Sequence, residues 1–324
     1  MAGIIAADQY LREVRFLPRC EGEFSIGIEN DYRLKVPSGL GIEKRWFVMM
    51  EDTEYGGVVD GITVDTAAAD ITIAGRTWHG ILEYSPILPD GGADYLSVSG
   101  DCNAVMAQLV DRWGLGNVFA VPAEASGFSV AGYRFSRLSN EMGGYTALRK
   151  MLRSVGAKLR ISYDASVRRA VLSAVPRGDY SEDGVDGDRV RLVISDFTPV
   201  NHLHCMGTGE GASRLRVDLY ADSKGRVSRT QTIFGIAHKC EVYDNPASDM
   251  ESLIEDGTKR LEDYQPAMAS CSMPEIYEEY DIDDIVGGSD IENGLEVVTS
   301  VAQKIATVDS FGVANVDIKT ELEV

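Results

Sequence analysis

Two histidines two positions apart, in the run Val200-Asn201-His202-Leu203-His204-Cys205, are the residues of this chain best placed to do chemistry. On an extended strand such residues share a face, so His202 and His204 could offer two imidazoles to one metal ion. Two ligands are not a site. A third would have to come from His79, His238 or a carboxylate, and no spacing in the sequence demands it. Paired polar positions on a half-exposed strand are the simpler reading, so no catalytic, cofactor-binding or metal-ligating residue is assigned.

Other candidates fail on their own chemistry. Gly207-Thr208-Gly209-Glu210-Gly211 looks like a phosphate-cradling loop, but a strand-like run, Leu215 to Tyr220, follows it where a helix is needed. Glu210 would also repel a phosphate. Asp281-Ile282-Asp283-Asp284 starts like a calcium loop, yet Ile285 and Val286 stand where an oxygen ligand and a glycine belong. The surrounding carboxylates are too numerous for any pair to be singled out as acid and base, and a solvated acidic face is expected there. No G-x-S-x-G or H-E-x-x-H occurs. The five cysteines, Cys20, Cys102, Cys205, Cys240 and Cys271, are scattered without a C-x-x-C pair and read as buried thiols.

Charge narrows the functional classes further. Of the formal net charge of −20, residues 241–324 carry 21 acids against 4 bases, and residues 1–240 carry 30 against 27. So acidic a surface repels phosphate, which argues against direct nucleic-acid binding and suits a conduit that nucleic acid passes without sticking. No run approaches the roughly 20 apolar residues of a membrane helix, and Gly3 to Ala7 lacks the basic leader of a signal peptide. A soluble protein made in a cytoplasm is expected.

The elements that position these residues are mostly strands. With 324 residues the chain exceeds what one core usually serves, and its 33 glycines punctuate short apolar runs. About six strands between Glu23 and Leu88 predict a small antiparallel barrel or sandwich. The pattern then changes to helices over Asp101 to Trp113 and Tyr145 to Val155, the second stopped by Gly156, with a hairpin turning at Asp164-Ala165-Ser166. Asp179 to Asp188 reads as an exposed loop. Strands resume at Val190 to Ile194, Val200 to Met206, Leu215 to Tyr220 and Val227 to Phe234, the last two joined by the hairpin Asp222 to Gly225. Ser248-x-x-Glu251 predicts a capped helix in which Gly257 allows close approach of another backbone. Ile285 to Gly287, an Asn293-Gly294 turn, Leu295 to Val308 and Val313 to Leu322 close the chain as strands.

Several of these motifs also occur in a recognisable order. His202 to Gly211, Arg214 and the strand Val217-Asp218-Leu219-Tyr220, followed by the Asp222 to Gly225 hairpin, Val242-Tyr243-Asp244 and the helix Ser248 to Tyr264, resemble a siphophage tail-protein family related to baseplate and tail-tip hubs. Tyr280 to Gly287 is similar to that family's Asp-Ile-Gly-Asp-Ile-Val strand start, with Asp283 in place of its glycine. Gly75-Arg76-Thr77, Ile81-Leu82 and the Val98 to Val110 segment extend the likeness over most of the chain from Phe24 onwards.

The resemblance implies a mainly β fold with an α+β insertion: a barrel-like hub domain at 1–95, a mixed α+β domain at 96–188, and a second barrel-like hub domain at 189–324 with an inserted helix at about 247–264. It further implies a non-enzymatic structural subunit of a phage tail tip or baseplate in the virion, assembled in the host cytoplasm. A homotrimeric ring would cap the tail tube around the DNA channel. Its partners would be distal tail and tail-tube proteins, the tape measure protein and, as an option, a central spike or fibre, with no membrane anchor and no specific DNA binding. A receptor- or saccharide-binding tail-tip protein is the alternative, and a metal-dependent hydrolase using His202 and His204 a more remote one.

Overall fold

A computed structural model describes residues 3–91, 93, 95–136, 143–181, 191–193, 198–223, 225–265, 270–273, 280–290, 295–309 and 312–322. The fold is mainly β with a mixed α/β segment. The chain divides into two compact units, Met1–Arg191 with Ser272–Glu323, and Leu192–Cys271.

In the first unit, strand Asp31–Pro37 shows how the main sheet forms. Tyr32, Leu34 and Val36 are buried and Asp31, Arg33 and Lys35 exposed, the period of two that puts alternate side chains on opposite faces. This strand pairs antiparallel with Glu21–Ile26 on one side and Asp70–Arg76 on the other, and Gly61–Val64 extends the sheet beyond Asp70–Arg76. Glu21–Ile26 also pairs with the long strand Leu295–Asp309, which pairs with Gly312–Leu322. The closing hairpin therefore joins the opening strands. A slip of one residue would turn Ile26 and Ala306 out of the core, so register fixes this closure.

A second sheet runs in the order Glu13–Phe16, Ile5–Ala7, Phe47–Met49, Gly56–Val58. Its first two strands are absent from the sequence-based expectation, because three or four residues carry too little alternation to register. After Asp70–Arg76 the chain enters helix α1 (Trp78–Glu83), whose first turn is capped by Thr77 Oγ1 accepting from Gly80 N at 3.2 Å.

The mixed segment matches its expected elements. Helix α2 (Cys102–Arg112) is capped by Asp101, whose carboxylate accepts from Asn103 N at 2.9 Å. Helix α3 (Gly144–Arg153) ends before Gly156, which takes a left-handed φ of 73° that a side chain would oppose. Strands Ala157–Asp164 and Arg169–Pro176 form the hairpin, with Asp164 Oδ1 accepting from Ser166 N at 2.7 Å. Asp179–Tyr180, expected in a loop, pairs parallel with Ile285–Asp290, and residues 182–188 of that loop lie outside the described residues.

One core joins the second sheet, α1 and the mixed segment. Trp78 is fully buried, stacked on Phe47 at 5.7 Å and on Tyr163 at 6.1 Å between ring centroids. Leu148, Met151 and Leu152 of α3 and Leu172 of the hairpin join the same cluster. Each such side chain contributes about 1.5–3 kcal/mol on burial, so the second sheet and the mixed segment stabilise one another.

The second unit is a four-stranded sheet in the order Val227–Ser228, Arg216–Ala221, His202–Met206, Cys240–Asp244. The expected strand to Phe234 stops at Ser228, where the hydroxyl accepts from Thr230 N at 3.2 Å and turns the chain. Helix α4 (Met250–Asp263) is capped by Asp249, one residue after the expected Ser248, through Ser252 N at 2.9 Å. Leu253, Gly257 and Leu261 form its buried stripe against Leu203, Cys205 and Leu219.

At Gly257 the close neighbours are side chains of the sheet and not another backbone: a Cβ there would meet Cys205 Sγ at 2.7 Å and Leu219 Cδ1 at 2.8 Å. Helix propensity alone would make Gly257→Ala stabilising by about 1 kcal/mol, whereas overpacking costs about 1–3 kcal/mol. The clash should win, so Gly257→Ala is expected to lower the unfolding midpoint of the second unit in denaturant melts, and a raised midpoint would show that the sheet yields.

Candidate functional site

His202 and His204 do share one face of their strand, opposite the face that buries Leu203 and Cys205. Asp218 on the neighbouring strand stands directly across from His204. Its Oδ1 lies 2.9 Å from His202 Nε2 and 2.7 Å from His204 Nδ1. The other nitrogen of His202, Nδ1, is 2.9 Å from His238 Nε2, and the His202 ring stacks on Tyr220 at 4.3 Å. Thus His238, named in sequence as one of three sources of a further ligand, joins the pair.

These separations are those of hydrogen bonds. Donors each about 2.0–2.1 Å from a tetrahedral zinc stand about 3.3 Å apart, wider than either contact to Asp218. Moreover, His202 directs its two nitrogens at different partners, so His238 and Asp218 sit on opposite sides of its ring. Burial pushes the Asp218 carboxyl up, but the hydrogen bonds from His204 and His202 outweigh it and hold the group below its ordinary range.

His79, the other imidazole considered, belongs to the first unit. It is fully buried in a T-shaped contact with Tyr145, and Nε2 lies 3.6 Å from Glu54. Burial lowers its pKa to about 4, against the pull of Glu54, so it is a neutral core residue at pH 7. The Gly207 to Gly211 segment is a strand connection held by Arg214, whose Nε donates to Gly207 O at 2.9 Å while its guanidinium pairs with Asp244. Of the cysteines, Cys20, Cys102 and Cys205 are buried as expected, but Cys240 is exposed at the sheet edge.

The acidic run departs most from its expected solvated face. Asp283 is 1% and Asp284 0% exposed. Asp283 accepts from Arg149 Nη2 at 2.7 Å and Arg153 Nε at 2.6 Å, both on α3. Asp284 receives Lys158 Nζ at 2.7 Å, Gly178 N at 2.6 Å and Asp281 N at 2.8 Å. Asp281 itself meets Lys158 Nζ at 2.7 Å, and Lys304 Nζ meets Glu54 at 2.6 Å. Each buried carboxylate is thus both paired and hydrogen bonded, the condition under which charge can be buried at all.

Asp283 also carries backbone strain: its φ is 74°, the left-handed region that favours glycine. That is the position at which the resembled family has glycine. The carboxylate therefore outweighs the conformational cost, because Arg149 and Arg153 would otherwise lack their shared partner. The run's hydrophobic neighbours hide this role from a periodicity reading, and the basic face of α3, with Arg149 and Arg153 one turn apart, is the sequence signal that could have paired with it.

No protein-family profile and no curated protein matches the sequence. Solved structures do match in fold. The 43 kDa tail protein of prophage MuSo2 from Shewanella oneidensis is 13% identical, with a TM-score of 0.51 over 99% of this chain and 98% of that one. The prophage tail protein gp18 from Listeria monocytogenes is 12% identical, with a TM-score of 0.49 over 99% and 94% of the two chains. The tail protein from Neisseria meningitidis is 13% identical, with a TM-score of 0.48 over 99% and 97%.

Replacing Asp283 separates the two contributions. Removing one partner of a buried pair costs about 3–5 kcal/mol, so both Asp283→Ala and Asp283→Gly should destabilise the first unit in that range. Glycine should lose about 1 kcal/mol less, since it alone tolerates the positive φ without strain. Equal losses in calorimetry would remove the strain term. Burial raises the Asp283 pKa, but Arg149 and Arg153 bring it below the ordinary 3.8. Its stabilisation should therefore be full above pH 3.8 and vanish as the pH falls through the lower folded value. From end to end, the chain has the fold of the Shewanella prophage tail protein.

Proposed function

We propose that this chain is a structural subunit of a phage tail and has no catalytic role. The observation that carries the reading is the fold match to a prophage tail protein, which spans nearly the whole of both chains. The ordered motif set from His202 to Gly287 points the same way. In this reading three copies form a hub ring at the tail tip or baseplate, capping the tail tube around the DNA channel. Tail-tube, distal tail and tape measure proteins are its neighbours, with a central spike or fibre as an option, and DNA passes without specific binding.

The charge distribution supports a conduit, since residues 241–324 hold −17 of the net −20 and would repel passing phosphates. Not every carboxylate is free for this. Asp281 is tied to Lys158, so replacing it would test folding and not the channel. Glu275, Glu278 and Glu279, also candidates for the channel wall, lie outside the described residues.

Native mass measurement of the purified protein with negative-stain imaging should show a trimer with a central hole; a stable monomer at micromolar concentration would contradict the ring. In a phage carrying Glu275→Gln, Glu278→Gln and Glu279→Gln together, tails should assemble normally and eject DNA less efficiently. Unchanged ejection would remove the proposed role of these three carboxylates.

A further inference from the structure

We propose that Lys158 and Asp284 condense once, within the folded chain, into a side-chain amide that bonds the mixed segment covalently to the closing strands. Lys158 Nζ lies 2.7 Å from Asp284 Oδ1 and 2.8 Å from Oδ2. Contact with both oxygens puts the amine about 3 Å from the carbon between them, the separation of groups set to react. Bulk water is shut out, since Lys158 is 4% and Asp284 0% exposed. Of the three cations at this junction only Lys158 can become a nucleophile, because the guanidinium groups of Arg149 and Arg153 keep their protons.

The carboxyl group of Asp284 is held for attack at both oxygens. Gly178 N donates to Oδ1 at 2.6 Å and Asp281 N to Oδ2 at 2.8 Å. Backbone donors so placed stabilise the oxyanion that forms when an amine adds to a carboxyl carbon. The main chain around them is fixed too, through Val301 N to Asp284 O and Ile285 N to Gly178 O, each at 2.9 Å. A second carboxylate supplies the base. Asp281 Oδ2 is 2.7 Å from Lys158 Nζ, and although burial pushes the Asp281 pKa up, Lys158, Lys304 and Arg160 outweigh it, so the group starts ionised.

The step balances without a co-reactant. One Nζ hydrogen passes to Asp284 Oδ2, which leaves a neutral amine beside a neutral carboxyl group. The amine lone pair forms the Nζ–Cγ bond, and Oδ1 takes the negative charge opposite Gly178 N. Asp281 accepts a second Nζ hydrogen and delivers it to the Oδ2 hydroxyl, which departs as water as the Cγ–Oδ2 bond breaks and the Oδ1 electrons return. The third hydrogen stays on the amide nitrogen. A cavity of about 380 Å³, which Asp281, Arg160 and Lys304 help to line, receives the water. Because the joined residues are 126 positions apart, the bond restricts the unfolded chain as a disulfide would, and reducing agents leave it intact.

Intact mass measurement of the denatured full chain tests the bond. The folded wild type should be lighter than its sequence by one water, and trypsin should release peptide 154–160, uncut at Lys158, joined to peptide 261–304. Lys158→Arg keeps the charge and should return the full mass. Asp281→Asn keeps a hydrogen-bonding partner for Lys158 but no base, and should condense about a hundredfold more slowly or not at all. A folded wild type at its full sequence mass, a loss of water without the joined peptides, or the same loss in Lys158→Arg would each overturn the bond. Condensation in Asp281→Asn at the wild-type rate would overturn the role of the base.

Discussion

Two adjacent aspartates with almost no access to water, Asp283 and Asp284, gather three cations from the middle of the chain. Burying such charge costs several kcal/mol per ion unless every lone pair finds a donor. The groups that approach come from three successive parts of the chain: Arg149 and Arg153 from α3, Lys158 from the hairpin, and Gly178 N from the segment after it. Arg177 adds a bond from its Nε to Asp283 O at 2.7 Å. The backbone is tied as well, since Asp283 N donates to Val301 O and Val301 N to Asp284 O, each at 2.9 Å.

The consequence is geometric. Val301 belongs to the strand that pairs with Glu21–Ile26, so this ionic junction fixes the closing hairpin both to the mixed segment and to the opening sheet. Apolar burial supplies most of the stability, but it is non-directional and tolerates sliding. Paired, hydrogen-bonded charges do not. The left-handed φ at Asp283 fits the same logic, because a residue is kept in a strained conformation only where its surroundings over-determine it. Sequence segments more than 100 positions apart are thereby held in one register. In a protein proposed to form a ring around a DNA channel, that rigidity is useful in the first unit.

Local patterns were legible in the sequence and distant pairings were not. The helices α2 and α3, the Asp164 hairpin and the α4 stripe announce themselves through 3.6-residue spacing, caps and turn residues. The three-residue strands Ile5–Ala7 and Gly56–Val58 offer too few positions to alternate. Pairing between Leu295–Asp309 and Glu21–Ile26 leaves no local trace, since either strand could have met another partner. Asp281 to Asp284 misled for a physical reason: carboxylates in a run are normally solvated, and only the three-dimensional arrival of Arg149, Arg153 and Lys158 reverses that. At the histidines, spacing located the shared face of His202 and His204 and named His238 as one candidate partner, while the choice of Asp218 and of His238 over His79 became visible only in three dimensions.

The place proposed for the chain is a structural one at the tail tip. The most direct measurement is electron microscopy of intact particles carrying a small epitope inserted at residues 183–186 and labelled with antibody. Three labels clustered at the distal end of each tail are the predicted result. Label spread along the tube, or particles that bind no antibody although the tagged protein is made and folded, would contradict it.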